Sequence, residues 1–135
     1  MNPLAAQTQR HLANAFPDWE RYFGICGQDD FEAAIPAPAG SGAGHLVIFT
    51  DQGKYLWIRF SSPYMCYLVD DMDEMIGTVQ GLIRNEICMV TVTETAGDAW
   101  VETTLCRPTD RIPVQPGRTA RIISWSGDHD RTLSA

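Results

Sequence analysis

Apolar residues recur along the first 25 positions at helical spacing, with Leu4, Leu12, Phe16, Trp19 and Phe23 falling near one face. Pro17, followed by Asp18 and Glu20, suits the first turn of a new helix, where a missing amide costs nothing and acids meet the helix dipole. The pattern predicts one helix to about Asn14 and a short second helix over 17–23, ended by Gly24. FEAAI at 31–35 reads as a short strand, and the Pro- and Gly-rich PAPAGSGAG at 36–44 as an exposed connection too short to separate domains. HLVIFTDQGKYLWIRF at 45–60 is a hairpin, turned at Asp51, Gln52 and Gly53, with the glycine supplying a positive φ. In its second strand Leu56, Ile58 and Phe60 share one face and form core. Tyr55, Trp57 and Arg59 share the other, which is either covered or a contact surface.

Beyond Ser61, Ser62 and Pro63, the pattern gives a strand over about Met65–Val69 and then a helix. Met72, Met75, Ile76, Val79, Leu82 and Ile83 repeat at the spacing of an amphipathic helix on a sheet. Gly77 and Gly81 interrupt it, each costing about 1 kcal/mol relative to alanine, which points to a close approach by another element. ICMVTVTET (87–95) and AWVETTLC (99–106) make a second hairpin, in which Trp100 and Glu102 are expected on one face. RPTDRIPVQPG (107–117) carries three prolines and is not an interior strand, and TARIISWS (119–126) is a last strand before a polar tail. The sum is a single α+β domain spanning 1–135: N-terminal helices and a mostly antiparallel sheet of six to seven strands, with one central amphipathic helix packed on it.

YLVDDMDEM at 67–75 places four carboxylates within five positions. Asp71 and Glu74 fit a capping box, in which the cap oxygen accepts from an unpaired amide and the later acid reaches back to the cap's own amide. Asp70 and Asp73 exceed what a helix start needs. With Glu94, Asp98 and Glu102 of the second hairpin they are candidates for an acidic surface, and Trp100 is its aromatic anchor.

Charge sharpens this. The net −7 is concentrated: residues 1–60 carry −2, residues 61–106 carry −7 and residues 107–135 carry +2. Such a field repels nucleic acid and anionic membranes and steers basic partners inward. The chain shows neither a signal-like start nor a membrane-spanning apolar run, so a cytoplasmic protein is expected. The four cysteines are widely spaced, and Cys66, Cys88 and Cys106 lie in or beside apolar runs, which suits free core thiols. His11, His45 and His129 are far apart, with no CxxC or HExxH, and DDMDEM lacks the glycine and spacing of a calcium loop. No metal or cofactor is expected. Cys66 has an acidic setting unsuited to a nucleophile, and GSGAG lacks the lysine and helix of a phosphate loop, so no catalytic set is found.

Residues 54–106, with an aromatic strand, an acid-started helix and a hairpin ending in WVETTL, resemble small bacterial immunity proteins of polymorphic toxin systems. The resemblance implies a noncatalytic inhibitor that neutralises a cognate basic toxin domain by direct contact. It would do so through Asp70, Asp73, Glu94, Asp98, Trp100 and Glu102. Two other readings stand beside it. A type III secretion-like chaperone or adaptor matches in length and acidity, but needs a closing helix where TARIISWS reads as a strand. A small-molecule binder or enzyme would need a pocket between helix 72–84 and the sheet.

Overall fold

The computed structural model describes residues 1–61 and 65–135; Ser62 and Pro63, which precede the expected strand over 65–69, lie outside them. Helix α1 (Pro3–Ala15) opens with Pro3 in its first turn and Asn2 as its cap, the Asn2 side chain accepting from the Ala5 amide at 2.8 Å. Two turns of tighter 3-10 helix, Pro17–Tyr22, follow. The chain then runs through five strands, β1 (Phe23–Cys26), β2 (Asp30–Pro36), β3 (His45–Asp51), β4 (Tyr55–Phe60) and β5 (Met65–Val69). Helix α2 (Met72–Ile83) leads to β6 (Cys88–Glu94), β7 (Trp100–Cys106), β8 (Arg118–Ile123) and β9 (Arg131–Ser134).

The α+β class holds, with one central helix and antiparallel pairing throughout. The strands divide into two sheets, however, of order β1-β2-β3-β4-β5 and β7-β6-β8-β9. Sequence reading missed the two edge strands. Phe23–Cys26 carries Gly24 beside the end of a helical pattern, and Arg131–Ser134 lies in a polar tail; each is only 4 residues long and finds its ladder through a partner strand.

One core joins both sheets. The inner face of the first sheet supplies Phe31, Ala33, Ile35, Leu46, Ile48, Leu56, Ile58, Phe60 and Val69, against Ala5 and Leu12 of α1 and Met72, Met75, Val79 and Leu82 of α2; Met89 and Ile123 of the second sheet close it. The space between α2 and the sheet is therefore filled by side chains. A smaller core, Cys88, Val90, Cys106, Ala120 and Ile122, lies on the far face of the second sheet. The proline-bearing segment 107–117 covers it with Ile112 and Val114, so the segment excluded from the ladder serves as a lid.

The two helical glycines separate in role. A Cβ on Gly81 would stand 2.9 Å from Cδ1 and Cγ1 of Ile87, whereas one on Gly77 would meet nothing within 4 Å. Gly77→Ala is expected to stabilise by about 0.5–1 kcal/mol and Gly81→Ala to destabilise by about 1–2 kcal/mol, as read from urea midpoints. A gain at both positions would remove the close approach as the reason for Gly81.

Candidate partner-binding surface

The Asp71 carboxylate caps α2 by accepting from the Glu74 amide at 2.7 Å. Glu74 reaches back as well, but to the Asp70 amide at 2.8 Å rather than to that of Asp71. Burial, then the charge of Glu74 and after it that of Asp70, push the Tyr67 pKa up. Asp70 and Asp73 stand exposed at this helix start.

The other four candidate residues cluster at the far hairpin. Glu94 is paired with Arg118 across the β6–β8 ladder, Nε to Oε2 at 3.3 Å. Asp98 holds the β6–β7 turn with a φ of 56°. Trp100 is 60% exposed, its indole N–H donating to the Thr103 hydroxyl at 2.9 Å. The expectation that Trp100 and Glu102 share a face is corrected by a register shift: Val92 pairs with Glu102 but Thr93 with Trp100, so the two side chains point to opposite faces. Spacing alone could not reveal a bulge. Glu102 instead walls a hollow of about 410 Å³ with Val92, Val114, Gln115, Arg118 and Ala120, beneath the 107–117 segment. The two acidic groups are thus built on separate elements, and Arg118 stands beside the second.

The structure draws together a different set. On the first sheet, the register aligns Glu32, Phe49, Trp57 and Leu68 in one row across four strands, on the face away from the core. Ala34, Val47, Arg59 and Cys66 form the next row. Tyr55, opposite Asp51, extends the aromatic strip, and the Arg59 guanidinium lies 5.5 Å from the Phe49 ring centre. Both helices and the second sheet pack on the inner face, and none of Phe49, Trp57, Leu68 or Tyr55 joins either core. Tyr55 and Leu68 are each 44% exposed. Phe49 and Trp57 are half-buried and Val47 of the next row is buried, so among the described residues the strip is most open at Tyr55 and Leu68.

Carboxylates border the strip. Burial raises the pKa of the Cys26 thiol, the charges of Glu32, Asp30 and Asp51 raise it further and Arg59 opposes them, which places three acids and one cation around one point of the sheet. Asp30 is committed to the fold: its carboxylate accepts from the Asn2 side chain, the Thr50 hydroxyl and the Gln52 and Gly53 amides. Glu32 and Asp51 make no side-chain hydrogen bond or ion pair among the described residues and are available to a partner. Sequence reading singled out Tyr55, Trp57 and Arg59 as one face but had no means of aligning Phe49, Leu68 or Glu32 beside them.

Among the described residues no three of His, Cys, Asp and Glu come close enough to hold a metal ion. No helix among the described residues is long and apolar enough to cross a membrane. Comparison with protein-family models, with curated proteins and with solved structures found no match in any of the three.

Proposed function

We propose that this chain is a noncatalytic binding protein whose contact surface is the outer face of its five-stranded sheet. The row Phe49, Trp57 and Leu68, extended by Tyr55, anchors a partner, and Glu32 and Asp51 meet basic groups around the anchor. The single observation that supports the reading is that row of large apolar side chains on the outer face, outside both cores and open at Tyr55 and Leu68. The occupant is a basic protein. A chain of net charge −7 with unpaired acids beside the strip repels a second copy of itself and attracts cations, so charge complementarity favours an opposite partner over a self-pair.

Within this class the resemblance of residues 54–106, which include β4 and β5 of the strip, favours an immunity protein that neutralises a cognate basic toxin in the cytoplasm. The toxin's basic cleft would lie against the sheet, and Asp70, Asp73, Glu94, Asp98, Trp100 and Glu102 would add to the attracting field. The chaperone reading loses ground because residues 118–123 form β8, where that class needs its closing helix.

The test begins with a basic protein retained on the immobilised chain at low salt, then measures its association with two variants. Glu32→Lys with Asp51→Lys is expected to slow association about tenfold or more at low ionic strength, the difference shrinking with added salt. Asp70→Lys with Asp73→Lys and Glu94→Lys is expected to slow it less. The reverse ranking would move the contact to the acidic helix start and hairpin. Unaltered association in both, or retention of no basic protein, would overturn the reading.

A further inference from the structure

Two thiols that the proposed contact surface does not use face each other inside the second sheet. Cys88 and Cys106 are direct cross-strand partners in the β6–β7 ladder, and both are free and buried. Directly opposed residues of an antiparallel pair hold their Cα atoms roughly 4.5–5.5 Å apart, within the span a disulfide bridges. Both side chains lie in the same buried cluster beneath the 107–117 segment.

Burial divides the roles of the pair. Cys88 is completely buried, and burial pushes its pKa up to about 11. Cys106 is 7% exposed and also raised by burial, with Asp110 adding to the rise; the Arg131 guanidinium opposes the rise at both thiols, and Asp130 adds to it at Cys88. Arg131 is held beside the pair by the carbonyl oxygens of Pro108, His129 and Asp110, at 3.2, 3.3 and 3.0 Å. One thiol is therefore nearer solvent, and the other is its fully buried cross-strand neighbour. This is the arrangement of an attacking and a resolving cysteine.

We propose that Cys88 and Cys106 form a redox-modification site, which a small peroxide converts from a dithiol into a cross-strand disulfide. The Cys106 thiolate attacks one oxygen of hydrogen peroxide, breaking the O–O bond; it becomes a sulfenic acid and releases hydroxide. Sulfur gives up the electron pair that the peroxide gains. The Cys88 sulfur then attacks the Cys106 sulfur, its proton leaving with the sulfenic hydroxyl as water. Burial admits only a small oxidant, and the raised thiols make the reaction slow near neutral pH and faster in alkali. The product fastens β7, an edge strand paired only to β6, at the end away from its turn.

Peptide mapping of the full chain tests this. No Lys or Arg lies between Arg84 and Arg107, and Pro108 protects the bond after Arg107, so one tryptic peptide over 85–111 holds these two cysteines alone. After peroxide, catalase and alkylation in denaturant, that peptide is expected unalkylated and lighter by two hydrogen atoms. The oxidised chain should melt roughly 5–10 °C higher, reverting with dithiothreitol. Cys26→Ser with Cys66→Ser should leave the bridge intact, and Cys88→Ser should leave a Cys106 sulfenic acid that dimedone traps. The wild-type map stands by itself if Cys88→Ser does not fold. Oxidation confined to Cys26 or Cys66, or Cys106 advancing to sulfinic acid with Cys88 still alkylated, would overturn the proposal.

Discussion

Replacing Asp30 with alanine is expected to cost the fold about 3 kcal/mol, the largest loss foreseen for any single polar side chain here. One carboxylate joins three elements. Oδ1 accepts from the Asn2 amide group at 2.9 Å, the Thr50 hydroxyl at 2.8 Å and the Gly53 amide at 3.2 Å, while Oδ2 accepts from the Gln52 amide at 3.0 Å. Asn2 caps α1, Thr50 is buried in β3 and passes the chain on by accepting from the Phe31 amide, and Gln52 and Gly53 form the β3–β4 turn. That turn places both central residues at positive φ, 56° and 65°, as a tight hairpin requires, so the non-glycine Gln52 is strained and the carboxylate offsets the strain.

The same bonds, that of Asn2 foremost, hold the Asp30 pKa below its ordinary value of 3.8. A carboxyl with a lowered folded pKa contributes stability that is complete above the unfolded value and is lost as pH falls through the folded one. Wild type and Asp30→Ala should therefore differ fully at pH 6 and converge below pH 3.8, in urea melts across that range. A constant difference down to pH 2 would assign the loss to packing instead of charge.

Trp57→Ala is the second large effect, and it falls on binding. Trp57 sits mid-row between Phe49 and Leu68, where a partner's cover would be most complete. If this outer face is the contact surface, affinity for the captured basic protein should fall about a hundredfold or more, while stability read from urea denaturation falls by only about 1 kcal/mol. Titration calorimetry measures the first and denaturation the second. Affinity unchanged alongside a large stability loss would make Trp57 a structural residue and remove the strip from the binding surface. Trp100, solitary on its edge strand and 60% exposed, supplies a comparison of the same chemistry: Trp100→Ala should change affinity far less.

Wherever a signal is local, the sequence by itself was enough. The spacing of Met72, Met75, Val79 and Leu82 produced α2, Asp71 produced its cap, and alternation in 45–60 produced β3 and β4 with Leu56, Ile58 and Phe60 inward. Periodicity and capping depend on neighbours a few residues apart, and those neighbours are written consecutively. What required the tertiary structure was every property set by long-range pairing. Gly24 and the tail became strands only because β2 and β8 offered edges. A shift of one position beside Val92 separated Trp100 from Glu102. Glu32, Phe49, Trp57 and Leu68, spread over 37 positions of the chain, became one row only through the register of three ladders. Register is decided by which side chains share a face across strands, and the order of residues along one strand does not contain that information.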